Sequence, residues 1–143
     1  MSASFRFEGG ELLSNVAAMQ TKLRASMGQY ADTSAKKLEN YAKSNKPWTD
    51  RTHDARNRLN TSWAWRGQII RIELAHGVDY GIYLEKGTPP HTITGHPWLY
   101  WQGASHPVKQ VNHPGTRPYP IIWPAIEAVG PQIMSGLTIL LNK

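Results

Sequence analysis

The chain has 143 residues, a formal net charge of +6 and no cysteine. This length suits a single domain with a modest core, and the lack of cysteine excludes a disulfide framework, a thiolate zinc site and a cysteine nucleophile. No apolar run in the sequence approaches the roughly 20 residues of a membrane-spanning helix, and the N-terminal residues lack the apolar stretch of a signal peptide. We therefore expect a folded cytoplasmic protein that makes no membrane contact.

The sixteen Lys and Arg residues outnumber the ten Asp and Glu residues, but they are spread along the chain and form no block. This mild basic bias permits contact with nucleic acid or with an acidic partner surface and requires neither. Six Trp and six Tyr residues, with 40% hydrophobic residues overall, indicate a folded chain.

Residues 1–9 predict a flexible arm, and residues 11–44 predict one long helix. Apolar residues recur every three or four positions through this segment, and no proline interrupts it before Pro47. Such a helix would be about 50 Å long, whereas a compact globule of this chain length is roughly 37 Å across. We expect part of the apolar stripe to pack on another subunit. The alternative is a helix that breaks at Gly28 and folds back as a hairpin. The stripe residues that we expect at the assembly interface are Leu23, Met27 and Tyr30.

Two short helices are predicted further along the chain. One follows Pro47, with Thr49, Asp50 and Thr52 as candidate N-caps. The other covers residues 79–86, with Asp79 as its cap and a glycine after its end. The first is expected to carry Ala55, Arg56 and Leu59.

Residues 62–74 predict a β-hairpin that turns at Arg66 and Gly67, because apolar and polar residues alternate on both sides of the turn. Trp63 and Trp65 fall on one face of the first strand. We expect them to pack in the core, and base stacking is the alternative. The core face of the second strand is Ile70, Ile72 and Leu74.

Residues 88–112 predict a three-stranded meander with strands at 91–94, 98–101 and 107–111. Together with the preceding hairpin, this gives an antiparallel sheet of about five short strands over residues 62–112. The predicted fold is therefore α+β and a single domain over residues 1–143.

Four prolines between residues 114 and 124 predict a rigid, extended connector that starts a helix over residues 124–141. Gly130 and Pro131 predict a break or kink in that helix. Its last turns are apolar and uncharged, so we expect them to close the core or to dock on a neighbouring subunit. The residues expected to dock are Leu137, Leu140 and Leu141.

Three segments of the chain resemble, in order, the motifs of one family of small phage proteins. The first reads WTDRTHDAR from Trp48, the second VDYGIYLEKGT from Val78, and the third HPGTRPYPIIWPA from His113. The family is the gp-ten-like family, named after a minor tail component of a lambdoid phage. His53 departs from the pattern, because relatives have glycine there. The matching residues are Trp48, Asp50, Arg51, Thr52, Ala55, Arg56, Leu59, Tyr80, Tyr83, Glu85, Gly87, Thr88, Pro90, His91, Ile93, His113, Pro114, Gly115, Thr116, Pro120, Pro124 and Ala125.

This resemblance implies an α+β subunit of the neck of a long-tailed phage, where it would form a ring around the DNA channel as a tail-completion or head–tail joining protein. The implied partners are further copies of the chain, a head-closure or connector protein, and a tail terminator or tail tube. The genomic DNA in the channel is a further candidate. The implied location is the virion, after assembly in the host cytoplasm. If the family's glycine supplies a positive φ, we expect either that His53 takes a mildly strained backbone or that the turn differs at this position.

The sequence offers no constellation that supports catalysis. Four histidines, His91, His96, His106 and His113, fall within 23 residues, but few carboxylates accompany them and no helical ligand pair is present. Glu85 has no neighbouring acid–base partner. We expect no catalytic residue, cofactor or metal. The main alternative is a nucleic-acid-binding module that uses a Trp- and Tyr-rich sheet with scattered Lys and Arg, and a His-dependent metalloenzyme is a third hypothesis.

Overall fold

The computed structural model describes residues 3, 4, 6 and 8–143. The arm predicted over residues 1–9 therefore falls partly outside the described residues, since Met1, Ser2, Phe5 and Phe7 are not among them. The fold is α+β, as predicted. The elements in chain order are α1 (Gly10–Asn45), α2 (Asp54–Asn57), β1 (Leu59–Arg66), β2 (Ile69–His76), α3 (Gly81–Lys86), β3 (His91–Leu99), β4 (Val108–His113) and α4 (Ile122–Leu141).

The helix α1 runs unbroken through 36 residues, so the alternative of a hairpin broken at Gly28 is wrong. Gly28 is buried, and the indole ring of Trp63 lies against it. A Cβ atom at this position would come within 3.1 Å of that ring. The missing side chain therefore makes room for the sheet instead of interrupting the helix.

The strands β1 and β2 form the predicted hairpin, with Trp63 opposite Ile72 and Trp65 opposite Ile70. The turn is at Gly67 and Gln68, one residue later than predicted, because Gly67 supplies the positive φ of 63°. Alternate residues of both strands are half-buried, which confirms the predicted core face of β2.

The predicted three-stranded meander is wrong. Residues 91–99 form the single strand β3, which pairs with β4. The Gly95–His96–Pro97 segment is an irregularity inside β3, where the register shifts between Thr94 and Leu99, and it is not a turn. Gly95 packs so closely on the backbone of Trp98 that a side chain would not fit, which is typical of a bulge. The described part of the chain thus has four strands in two two-stranded sheets, instead of one sheet of about five.

The core lies where the second half of α1 packs against β1, β2 and α4. Alanines on both helices allow close approach of the backbones. The hairpin β3–β4 pairs mainly with itself and packs against no other helix or strand to a comparable extent. The core residues are Leu38, Ala42, Leu59, Ile121, Ala125 and Val129.

The helix α4 begins two residues before the predicted start, so Pro124 occupies its third position, where a missing N–H costs no intrahelical hydrogen bond. The helix continues through Pro131, and the predicted break is wrong. On either side of Pro131, Val129 belongs to the core and Ile133 packs against it, and this packing holds the helix together.

By length and composition alone α4 could cross a bilayer, so the expectation that the sequence has no such apolar run is also wrong. One such helix is weak evidence for a membrane protein.

The two short helices are placed as predicted, but without the predicted caps. Leu59 begins β1 and is not part of α2. Before α2, Thr52 makes only a long contact of 3.4 Å to the Asp54 N–H. His53 precedes the helix with a φ of 62°, the mildly strained backbone that the family's glycine implied. Among the described residues, no side chain caps α3, Asp79 included.

Candidate assembly surfaces

The first half of α1 is uncovered. All residues from 11 to 26 are exposed, although this stretch carries the same apolar periodicity as the buried half. Leu12, Val16, Met19 and Leu23, here called the α1 stripe, recur at spacings of three and four residues and are 43–70% exposed. These spacings place them on one face of the helix. The α1 stripe includes Leu23 of the predicted interface.

The C-terminal half of α4 is a second partly uncovered apolar surface. Met134, Ile139 and Leu141 are exposed, whereas Leu137 and Leu140 are half-buried. Of the six predicted interface residues, Leu23 and Leu141 are thus exposed. Leu137, Leu140, Met27 and Tyr30 are partly covered within the chain.

Tyr30 has a role inside the chain. Its hydroxyl donates a hydrogen bond of 2.6 Å to the carbonyl oxygen of Ile133, and its ring lies against Gly136, where a side chain would not fit. Tyr30 therefore joins α1 to α4 in the same copy.

The end of the β3–β4 hairpin presents a third surface. Trp98, Tyr100 and Trp101, here called the aromatic tip, are 48–70% exposed. The Lys109 ammonium lies 5.3 Å from the centre of the Trp98 ring. No acidic residue occurs between Glu85 and Glu127. One face of the hairpin is concave, with a volume of about 500 Å³, and is lined mainly by apolar side chains.

Glu85 of α3 joins the end of β2 to the start of α4. Its Oε1 accepts hydrogen bonds from the N–H groups of Ile121 at 2.9 Å and Ile122 at 3.1 Å. The same oxygen lies 2.9 Å from Nε2 of His76, whose side chain is 8% exposed. A carboxylate at this position satisfies two backbone donors and faces the positive end of the helix dipole. The other ring nitrogen of His76 is buried and has no hydrogen-bond partner among the described residues.

Sequence reasoning missed this role of Glu85 because the acid and the helix it caps are 36 residues apart. A signal was present, since no Ser, Thr, Asp or Asn stands immediately before α4. A buried helix start without a local cap needs a distant acceptor.

Family-motif residues also meet where the hairpin leaves and rejoins the core. The backbones of Thr88 and Thr116 exchange two hydrogen bonds of 3.0 Å. Gly87 has a φ of 70° and Gly115 a φ of 83°, and a Cβ at either glycine would collide with the opposite backbone. Glycine is therefore required on both sides of this crossing.

A buried carboxylate organises the first family-like motif. Asp50 has a side chain that is 8% exposed, and its Oδ2 lies 3.1–3.2 Å from Lys46, His53 and Arg56. Burial raises the pKa of Asp50, but the hydrogen bonds from His53 and Lys46 and the charges of Lys46 and Arg56 outweigh it and hold the pKa below its ordinary value. Arg56 is thus engaged in the local ion pair, while Arg51 is exposed.

The two tryptophans of β1 are half-buried against α1, beside the core cluster and not within it. Trp63 donates its indole N–H to Asp32 at 3.3 Å. The Arg24 guanidinium lies 3.9 Å above the Trp65 ring. The sequence did not indicate this cation–π pair, because α1 supplies its arginine from a distant segment.

The remaining motif residues occupy varied positions. Ala125 is fully buried, Tyr83 is 59% exposed, and Pro114 borders the concave face of the hairpin. His91 and His113 face each other across the hairpin, with ring centres 5.1 Å apart. Within residues 3, 4, 6 and 8–143, no group of three His, Asp or Glu side chains is placed to hold a metal ion.

Comparisons of the chain with protein family models, with curated proteins and with solved structures found no match.

Proposed function

We propose that this chain is a non-enzymatic structural subunit of the neck of a long-tailed phage, a tail-completion or head–tail joining component that assembles as a ring around the DNA channel. The observation that carries the proposal is the uncovered first half of α1. Residues 11–26 extend over about 24 Å of helix, and the α1 stripe exposes four large apolar side chains along it.

An isolated helix of this length is marginal in water, because most helical stability in proteins comes from packing an apolar face. A second subunit that covered the stripe would gain about 25 cal/mol for each Å² of apolar surface removed from water. The three exposed surfaces, on α1, α4 and the aromatic tip, are different from one another. Contacts between unlike surfaces are head-to-tail, and head-to-tail contacts form a ring when the rotation between neighbouring copies closes.

The phage role is supported by the motif resemblance and by the geometry of the motif residues. Two of the family-like segments meet in the fold. Glu85 of the second segment accepts a hydrogen bond from Ile121 of the third, and Gly87 of the second lies against Thr116 of the third. In this role the partners are other copies of the chain, a head-closure or connector protein, and a tail terminator or tail tube, with the channel DNA as a further contact. The protein would assemble in the host cytoplasm and remain in the virion.

Self-assembly is tested by placing charge on the stripe. The double variant Val16→Asp, Met19→Asp should be monomeric in light scattering, whereas the wild-type chain forms oligomers. Ser14→Asp is the matched control, because residue 14 is exposed on the opposite face of the same helix. Circular dichroism should be unchanged in both variants. A wild-type protein that stays monomeric at all concentrations would contradict the assembly role.

The second partly uncovered surface is tested in the same way. Replacing Leu137 and Leu140 by Asp should block assembly while the β1–β2 sheet stays folded. If both assembly and fold survive, the C-terminal half of α4 is not a docking surface.

The neck role is tested by electron microscopy of particles from a phage that lacks the gene, with complementation as control. Separate DNA-filled heads and finished tails are expected. Intact infectious virions would remove the proposal.

A second candidate function is non-sequence-specific binding of nucleic acid through the hairpin. It is favoured by the exposed Trp98 beside Lys109 and by the absence of acidic residues between positions 85 and 127. Stacking on aromatic rings and phosphate contacts would give salt-sensitive binding. The test is binding of single-stranded DNA by the monomeric variant, and a lack of binding at about 50 mM salt would eliminate this candidate.

A further inference from the structure

We infer that residues 4–8 of one copy add as a strand to the free edge of β4 in a neighbouring copy, with Phe5 and Phe7 against the apolar face of the β3–β4 hairpin. This inference rests on the proposed self-assembly and names two parts of the chain that meet in it. The structure describes the hairpin, whereas Phe5 and Phe7 lie outside the described residues.

The β3–β4 hairpin has one apolar face and one polar face. Ile93 lies opposite Val111 on the concave, mainly apolar face. The neighbouring pairs on the other face are polar, namely Thr92–Asn112 and Thr94–Gln110. An isolated two-stranded hairpin is marginally stable in water, and a third strand or a packed helix is needed to stabilise it. This hairpin packs against no other helix or strand to a comparable extent, so its apolar face needs a partner.

Of the two edges of the hairpin, β4 is the one that can accept a strand. β3 contains Pro97, which has no N–H, and its register shifts between Thr94 and Leu99. β4 has neither a proline nor a register shift, and its only Lys, Arg, Asp or Glu residue is Lys109. Within the described residues β4 pairs with β3 alone. Its outer backbone groups are therefore open to a further strand, and an added strand would bind through main-chain hydrogen bonds.

Residues 4–8 carry the alternation of a half-buried strand. The order is Ser, Phe, Arg, Phe, Glu, followed by two glycines, so Phe5 and Phe7 would share one face of the strand. Arg6 and Glu8 form an ion pair of 2.6 Å, which places their side chains on the same side of the chain. The other alternating segments are already paired, β1 with β2 and β3 with β4.

The two patterns match when this segment lies beside β4. Phe5 and Phe7 then extend the apolar face that contains Val111, and the polar residues of the segment extend the face that contains Gln110 and Asn112. Two aromatic side chains would bury about 300–500 Å². A slip by one residue would expose both phenylalanines, so the register is specified.

The geometry of α1 directs the segment to another copy. Residues 11–26 are all exposed and extend over about 24 Å of helix. Phe5 is five residues before Gly10, where α1 begins, and reaches at most about 18 Å from it. The segment therefore falls short of the part of α1 that the same copy covers. A contact between this segment and the hairpin of the next copy joins unlike surfaces, as the proposed ring requires.

The inference is tested by cross-linking, which is direct because the chain has no cysteine. Ser4→Cys is made with a large C-terminal fusion tag, and Gln110→Cys is made without a tag. Both positions are exposed and belong to the polar faces, so the apolar contact residues are kept. A short bis-maleimide is added to the mixture. Ser62→Cys replaces Gln110→Cys in the control, because residue 62 is an exposed strand position of the other hairpin.

The mixture of Ser4→Cys with Gln110→Cys should give at least about tenfold more tagged–untagged product than the control, because residues at an interface have millimolar effective concentrations. Adding Phe5→Ser and Phe7→Ser to the tagged chain should reduce the yield to the control level. Adding Arg6→Ser instead should leave the yield unchanged, because Arg6 belongs to the polar face.

Equal yields from the two mixtures, or an unchanged yield after loss of both phenylalanines, would overturn the inference. A cross-link within single chains of the double variant Ser4→Cys, Gln110→Cys would show that the segment binds its own hairpin, and would also overturn it. Light scattering of the wild-type chain reports self-assembly independently. Oligomers with equal cross-linking yields would remove the inference alone, whereas a chain that stays monomeric would remove the proposed function.

Discussion

The two halves of α1 share one apolar pattern and differ in what covers it. The second half buries Ala31, Ser34, Ala35, Leu38 and Ala42 against the sheet and α4, while no residue from 11 to 26 is buried. The buried half uses mostly small residues that allow close packing, and the uncovered half presents leucine, methionine and valine. The difference teaches that helical periodicity marks an apolar face that needs a partner. Whether that partner is internal depends on whether the sheet and α4 extend far enough along the helix to cover the face.

The largest expected effect on stability is in the covered half. Leu38 is 5% exposed and belongs to the core, so Leu38→Ala should lower the free energy of unfolding by about 2–5 kcal/mol through lost burial and a residual cavity. Urea denaturation, at concentrations where the chain is monomeric, measures this. A loss comparable to that of a surface leucine would mean that the core does not lie where α1 meets α4.

Removal of the Glu85 carboxylate should have the next largest effect. Glu85→Ala leaves the N–H groups of Ile121 and Ile122 without their acceptor, which should cost about 1–3 kcal/mol. The control is Glu73→Gln, on an exposed position of β2. If the two variants are equally stable by urea denaturation, Glu85 does not hold the start of α4.

A smaller, pH-dependent effect is expected at Glu39, which joins α1 to β1. Its Oε2 accepts hydrogen bonds from the N–H and hydroxyl of Thr61 at 3.0 and 3.1 Å, and Lys43 binds Oε1 at 2.6 Å. The hydrogen bond from Lys43, with those from Thr61, lowers the pKa of Glu39 despite its partial burial. Glu39→Gln should cost about 1 kcal/mol at neutral pH.

A group whose folded pKa is lowered stabilises the fold fully above its unfolded pKa, here about 4.3, and loses that contribution as the pH falls through the folded value. The stability difference between wild type and Glu39→Gln should therefore be constant above about pH 5 and shrink below about pH 4. Urea denaturation across this range measures the difference. A difference that grows on acidification would show that the sign is wrong.

The smallest effect on stability is expected from a Leu→Ala substitution in the uncovered half of α1, the same type of substitution that has the largest effect in the covered half. Leu13 is 70% exposed, so Leu13→Ala should change the stability of the monomer by no more than about 0.5 kcal/mol. The comparison with Leu38→Ala would fail if both variants lost equal stability.

Local patterns in the sequence predicted α1, the β1–β2 hairpin, both short helices and α4, because periodicity and turn residues report on nearby structure. The segment 95–97 shows where that reasoning fails. Gly and Pro next to each other mark both turns and bulges, and only the pairing with β4 decides between them. The prediction of a break at Pro131 failed for a similar reason. The packing that holds α4 together comes from α1, which is distant in the sequence.

The candidate surfaces were partly predictable. Periodicity and helix length indicated that α1 needs a partner, but the choice between internal and external contacts, as for Tyr30 and Leu23, depends on tertiary packing. The lack of a local cap before α4 indicated a distant acceptor, but only the tertiary fold identifies Glu85 as that acceptor. The exposure of the aromatic tip could not be predicted, since it depends on how the hairpin packs on the rest of the chain.

Because the hairpin begins and ends at the Thr88–Thr116 bridge, its length can change with little effect on the stability of the fold. The segment between these residues leaves the core and returns to it at one point. The positions of α3 and α4 therefore do not depend on the length of this segment. Closing a loop of twice the length costs only about 0.6 kcal/mol more. Evolution or an engineer can therefore lengthen, shorten or exchange the hairpin, and so alter which partner the chain meets, while the folded body stays as it is.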